Sequence, residues 1–466
     1  MTSLVKKWGR RLGVVAVAFS LSACEIFDDD DDAPATPAPT AKAKVEVIHA
    51  SADAPRVNVY SGATPLLQNF DYAQASGLVE VDAGLFNVDV KGLLPDSSTP
   101  SVIGPVDLTL QADMIYTVIA TNNVANIEPL IVSRSDSAIG AEEVRVQVVH
   151  AAVNAPMVDV YVTAPDADIT ASAPLGTFDF KGDLGPVTVP QGDYQIRVTP
   201  AGDNQTIAFD SGAVSLAGGS DLTIAAITNT ATGSAPINLL VATGTSSFLV
   251  RDKNAGANVR VTHGSPDAPA VDIIANDNFS APLFSNLGFT QTSDWANIPA
   301  NMYNVKVVPQ GATSPVVINA DLDFAIGNFY SVLAVDTLDQ IDALVLTEDR
   351  RRVATEAKIQ IVHASPAAGN VDIYVVAPGT DINSVEATIS GFALKATTNG
   401  FIGLPGGSYD VYITAAGTKD VAIGPAQIDL NAGGIYTVIA RDSEHISNAQ
   451  DAGAPAQLLL LDDFIL

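Results

Sequence analysis

Four times in this chain an alternating apolar run ends in histidine, turns within a few residues and starts a second alternating run. The copies are VEVIHASADAPRVNVY at 45–60, VQVVHAAVNAPMVDVY at 146–161, VRVTHGSPDAPAVDII at 259–274 and IQIVHASPAAGNVDIY at 359–374. A period of two is the mark of a strand that buries one face. Such strands must pair and then pack on a second sheet. A unit recurring every 101, 113 and 100 residues, read from His49, His150, His263 and His363, is therefore constrained to a tandem array of small β-domains.

Each unit repeats one plan. In the first strand Val45, Val47 and His49 share a face, as do Val144, Val146, Val148 and His150, then Val259, Val261 and His263, then Ile359, Ile361 and His363. The second strand carries Val57 and Val59 or their counterparts, with Asn58, Asp159, Asp272 and Asp372 on its other face. A later strand holds Phe86, Tyr194, Tyr303 or Tyr409, another holds Tyr116, Leu222, Tyr330 or Tyr436, and an apolar strand closes each unit. No stretch shows a capped 3.6-residue apolar period. The fold class is all-β: four tandem β-sandwich (immunoglobulin-like) domains.

Breaks of small and polar composition at 133–143, 244–257 and 348–357 delimit repeats over 44–141, 142–256, 257–355 and 356–466. They predict four separately folded beads on short linkers. Arg350, Arg351 and Arg352, the one basic cluster after the signal, are expected to pair with acidic neighbours.

The first residues predict an address. Lys6, Lys7, Arg10 and Arg11 precede an apolar run, Leu12 to Leu21, too short for a stable membrane span. Leu21-Ser22-Ala23-Cys24 then matches a lipoprotein cleavage site before the chain's single cysteine. The expectation is a signal peptide over 1–23, acylation of Cys24, and a tether over 24–43 kept extended by Asp28 to Asp32 and several prolines. The aspartates lack the interleaved glycine and distal glutamate of a calcium loop. With Cys24 acylated no disulfide is available. Loss of the four basic signal residues takes the formal charge from −29 to −33, which repels nucleic acid. Glu25 after Cys24 favours the outer membrane, with the periplasmic or surface face open.

At His-Ala-Ser-Pro (363–366) and Asp-Ala-Pro-Ala-Val-Asp-Ile (267–273) the chain resembles the bacterial domain-of-unknown-function 4397 family, over residues 44–466 in four copies. That resemblance implies exported, often lipid-anchored or tandem β-sandwich domains without an established activity.

Candidate chemistry is sparse. The four histidines share parity with core valines, so the expectation is structural rings that bond nearby turn backbone. His49, Ser51 and Asp53 are triad residue types crowded into one turn, without a nucleophile elbow or oxyanion hole. No zinc, phosphate or dinucleotide motif is present, so neither metal nor cofactor is expected. Asp159, Asp272 and Asp372 are read as solvated strand carboxylates or calcium ligands. Length variation concentrates at 61–78, 162–186, 275–297 and 375–403, read as loops that hold any partner, with Asp166, Asp168, Asp381 and Asn383 as exposed candidates. The expected function is a non-enzymatic, lipid-anchored cell-envelope protein for adhesion, surface structure or loop presentation, with an envelope or extracellular protein or glycan as partner. The alternative is a binding protein that captures a carbohydrate or peptide.

Overall fold

The computed structural model describes residues 40–443 and 457–463, so the signal, Cys24 and most of the tether lie outside the described residues. The first repeat has eight strands: β1 (Lys42–His49), β2 (Val57–Ser61), β3 (Thr64–Phe70), β4 (Val79–Asp82), β5 (Gly84–Gly92), β6 (Ser101–Leu110), β7 (Met114–Thr121) and β8 (Glu128–Ser135). They form two four-stranded sheets, ordered β4-β1-β7-β8 and β3-β2-β5-β6. Within the first sheet β1 runs parallel to β7, placing Val45 beside Tyr116 and His49 beside Ala120; the other pairs are antiparallel. The other three repeats keep both orders, and the second adds Ser247–Val250 to the edge of its histidine sheet. Among the described residues the helices are four short 3-10 turns, none long and apolar enough to cross a membrane. The tandem β-sandwich class expected from periodicity is the observed one.

The count of strands is a correction. Periodicity gives five per repeat, whereas β3, β4 and β6 add three. The connection read as one variable loop, 61–78, contains β3 and runs directly into β4, one in each sheet. Both are edge strands with much exposure, and β6 carries Pro105 within it, so none shows a clean buried face.

Inside the first sandwich, Val45, Val57, Val59, Phe70, Phe86 and Val118 form one apolar core; each other repeat has its own. The histidine sheet also buries its outer face. Ile48 and Ile119, both 0% exposed, pack against Val149, Ala225 and Leu240 of the second repeat. Leu333, Val335 and Leu346 of the third repeat likewise meet Val362 and Ile439 of the fourth. Repeats one and two, and three and four, are therefore docked sheet to sheet. The described residues from 41 onward make up one compact unit, unlike the beads that the linkers suggest.

Buried ions line both docked faces. Arg134, its side chain 1% exposed, donates from Nε to Asp221 at 2.9 Å, and Arg145 pairs with the same carboxylate at 2.5 Å. In the other pair Arg260 reaches Glu348 and Asp463, each at 2.9 Å, and Arg350 also holds Asp463. Arg351 leaves its own repeat: Nη1 donates to Ala54 O at 2.8 Å and Nη2 to Asp71 at 2.6 Å, fastening the third–fourth linker to the first repeat.

Candidate functional site

Alternation along β1 sends Val45, Val47 and His49 inward, so the histidine ends up at the corner where the chain crosses to the second sheet. All four histidines are at most 3% exposed. Each ring spans the corner, with Nε2 donating to a carbonyl six residues on: Pro55 at 3.1 Å, Pro156 at 3.3 Å, Pro269 at 3.0 Å and Gly369 at 2.6 Å. A carbonyl can only accept, so Nε2 carries the proton and Nδ1 is the basic nitrogen. In the fourth repeat Nδ1 accepts from Ser365 N at 3.3 Å.

The main chain closes the same corner. His49 N donates to Gln74 O and Ala73 N to His49 O, and this pair of bonds recurs at His150, His263 and His363. An aromatic side chain of the same stretch stands near each ring: Tyr72, Phe180 and Phe289 edge-on at 6.2, 6.5 and 6.3 Å, and Phe392 stacked at 6.4 Å. Burial lowers the pKa of all four rings, that of His49 to about 4. They are neutral at pH 7.

The residues of triad type do not assemble. Ser51 Oγ lies 3.5 Å from Asp53, whose carboxylate accepts Val124 N at 2.8 Å; Asp267 accepts Leu338 N at 2.7 Å in the same way. Ser365 Oγ donates to Asp442. Asp53 and Asp267 thus tie the corner to the turn after β7 or its counterpart, and the serine hydroxyls bond carboxylates, leaving the histidines to backbone.

Asp159, Asp272 and Asp372 correct a second expectation. They are only 6–7% exposed. Asp272 accepts Asn286 N and Gly311 N, both at 2.8 Å, and Asp372 accepts Gly391 N at 2.7 Å and Gly417 N at 2.8 Å. Asp159 accepts Gly202 N at 2.8 Å and the Thr177 hydroxyl at 2.5 Å. Asn58 does half of this job, accepting Asn69 N at 2.8 Å. Each carboxylate divides its lone pairs between the neighbouring edge strand and a turn. Among the described residues no group of three or more His, Cys, Asp and Glu is placed to hold a metal ion.

The variable connections are fixed as well. In repeats two and four they turn through 3-10 segments, Ile169–Ala171 and Ile382–Ser384, whose Ile169 and Ile382 are buried. Asp168 and Asp381 cap them, accepting Thr170 N at 2.9 Å and Asn383 N at 3.0 Å. Arg197 donates to Ala167 O at 2.6 Å, and Lys419 to both Ile382 O and Val385 O at 2.7 Å. Asp166, Asp168, Asp381 and Asn383 remain exposed on these pinned turns. Sequence reasoning missed the aromatic partners of the histidines; their signal was an aromatic or other large apolar residue recurring at the end of β3, as in Asn-Phe-Asp-Tyr and Thr-Phe-Asp-Phe.

A chain of sandwiches built on eight strands, with a ninth in the second, each cornered by a buried neutral histidine and arranged in docked pairs, defines a class of tandem β-repeat protein. It belongs to the family described as Domain of unknown function (DUF4397), whose profile matches residues 43–161 and 257–374, just over half of the chain. No curated protein matches it. Among solved structures, the Bacillus anthracis TIE protein aligns over 87% of this chain and 69% of its own, at 10% identity and a TM-score of 0.15.

Proposed function

We propose that this is a non-enzymatic, lipid-anchored protein of the cell envelope that presents binding loops from a rigid body, and that its four histidines are structural. The observation that carries this reading is the contrast between the repeated polar residues and the variable ones. The repeated His and Asp side chains are buried and hydrogen-bond the backbone of their own repeat, while Asp166, Asp168, Asp381 and Asn383 stand exposed on capped, pinned turns. Preformed loops bind with little ordering cost. The partner of this reading is an envelope or extracellular protein or glycan, the anchor is Cys24 and the location is the outer membrane.

Two measurements test it. Metabolic labelling with a clickable fatty acid should mark the wild-type protein and leave Cys24→Ser unlabelled and released from the membrane; a labelled, membrane-bound variant would remove the anchor. Replacing residues 377–388 with a short Asn-Gly turn in the full chain should reduce attachment of expressing cells to a glycan and matrix-protein array at equal surface abundance. Unchanged attachment would defeat the loop reading.

A second reading, capture of a carbohydrate or peptide, is supported by one feature. A polar cleft of about 250 Å³ lies between the first repeat and the third–fourth linker, lined by Arg56, Asp71, Arg351, Glu356 and Lys358. A small sugar or peptide that raises the melting midpoint of the wild type but not of Arg56→Ala would favour it.

A further inference from the structure

The second sandwich differs from its siblings inside. It encloses a void of about 140 Å³, against about 30 Å³ in each of the first and third. Three register positions explain the difference. Opposite the inward residue of its second strand, the second repeat has Gly176 (paired with Val160), where the others have Leu67, Phe284 and Ile389. Opposite the inward aromatic of its fifth strand it has Val214, where the others have Leu108, Leu322 and Ile428. Beside the first strand it has Leu222 in place of Tyr116, Tyr330 and Tyr436. Paired residues of neighbouring strands share a face, so all three changes remove volume from one core. The Phe178 ring leans over Gly176, where a Cβ would meet it at 2.6 Å, and recovers part of the loss.

The wall of the void selects its occupant. Among its lining residues only His150 and Tyr194 carry side-chain polar groups, and His150 Nε2 already donates to Pro156 O and the Tyr194 hydroxyl to Pro190 O. No charged side chain lines it. An ordered water needs two to four polar partners, whereas an apolar cavity of about 150 Å³ stays dry and takes up benzene. Leu175 belongs to the wall and is 38% exposed, so the void reaches close to solvent there.

We infer that the second sandwich is a binding site for a small, uncharged apolar molecule of about the size of benzene, a site that the other repeats have filled with their own side chains.

The test uses the full mature chain carrying Cys24→Ser, so that it is handled without detergent, with toluene as the probe and hydrogen exchange read peptide by peptide. At toluene ten times its dissociation constant, core amides of the second sandwich should exchange about tenfold more slowly, with the other three sandwiches unaffected. Val214→Phe, which places a ring in the void, should abolish the effect while the chain still melts cooperatively. If that variant does not fold, Val214→Leu, which copies Leu108 and Leu322, should weaken toluene binding by at least threefold. No slowing at any toluene concentration, equal slowing in all four sandwiches, or wild-type binding by a folded filled variant would each overturn the assignment.

Discussion

His49 donates one ring proton to Pro55 O, and its burial decides how the molecule responds to acid. In the unfolded chain a histidine takes up a proton near pH 6.5, whereas burial depresses the folded value of His49 to about 4. Above pH 6.5 both states are neutral and the ring contributes no pH dependence. Between about 6.5 and 4 only the unfolded state binds the proton, so stability falls as pH falls, by up to about 3 kcal/mol for this ring, and levels off below. The other three rings act in the same direction. Urea midpoints measured from pH 7.5 to 4.5 should therefore drop, and His49→Gln should flatten the slope; an unchanged slope would show that the ring is not held neutral. Asp272 makes a separate residue-scale prediction. Asp272→Ala leaves two backbone N–H groups without their acceptor and should cost about 2–4 kcal/mol in urea unfolding, with Asp272→Asn losing less. A loss below about 0.5 kcal/mol in Asp272→Ala would return this residue to the solvated class.

Strands with a regular inward face announced themselves, since Val45, Val47, Val57 and Val59 alternate as the structure places them. Edge strands did not: β4 has four residues and β6 is interrupted by Pro105, so neither carries a countable period. The same limit hid the roles of Asp159, Asp272 and Asp372. Parity correctly turned them away from the core, but the loops that come to cover them are distant in sequence. The docked faces left a trace in the form of adjacent apolar pairs, Val118-Ile119, Val148-Val149, Ile361-Val362 and Val438-Ile439, which alternation cannot produce and burial on both faces requires. Leu333 tests that reading, because it points away from its own core and into the fourth repeat. Leu333→Ala in the full chain should destabilise by about 2–5 kcal/mol. If the third repeat behaved as a lone sandwich, the change would fall within about 0.5 kcal/mol.

At the scale of the molecule, docking converts four similar sandwiches into two pairs with a buried ionic seam each, and Arg351 joins the second pair to the first. Seams of this kind add little net stability, but breaking one partner strands a buried charge and costs several kcal/mol. The linkers belong to the same body. Ser137 bonds Arg145, Ala255 is 3% exposed and its carbonyl accepts the Thr232 hydroxyl, and Val353 is 1% exposed. Composition marked these segments as polar breaks, and nothing local in them discloses the neighbours that hold them. The central claim is that the four repeats fold docked against one another, and limited proteolysis of the full chain with intact-mass readout tests it most directly. The account predicts a resistant product that keeps all four repeats. Release of four fragments of about 100 residues, cut within 133–143, 244–257 and 348–357, would contradict it.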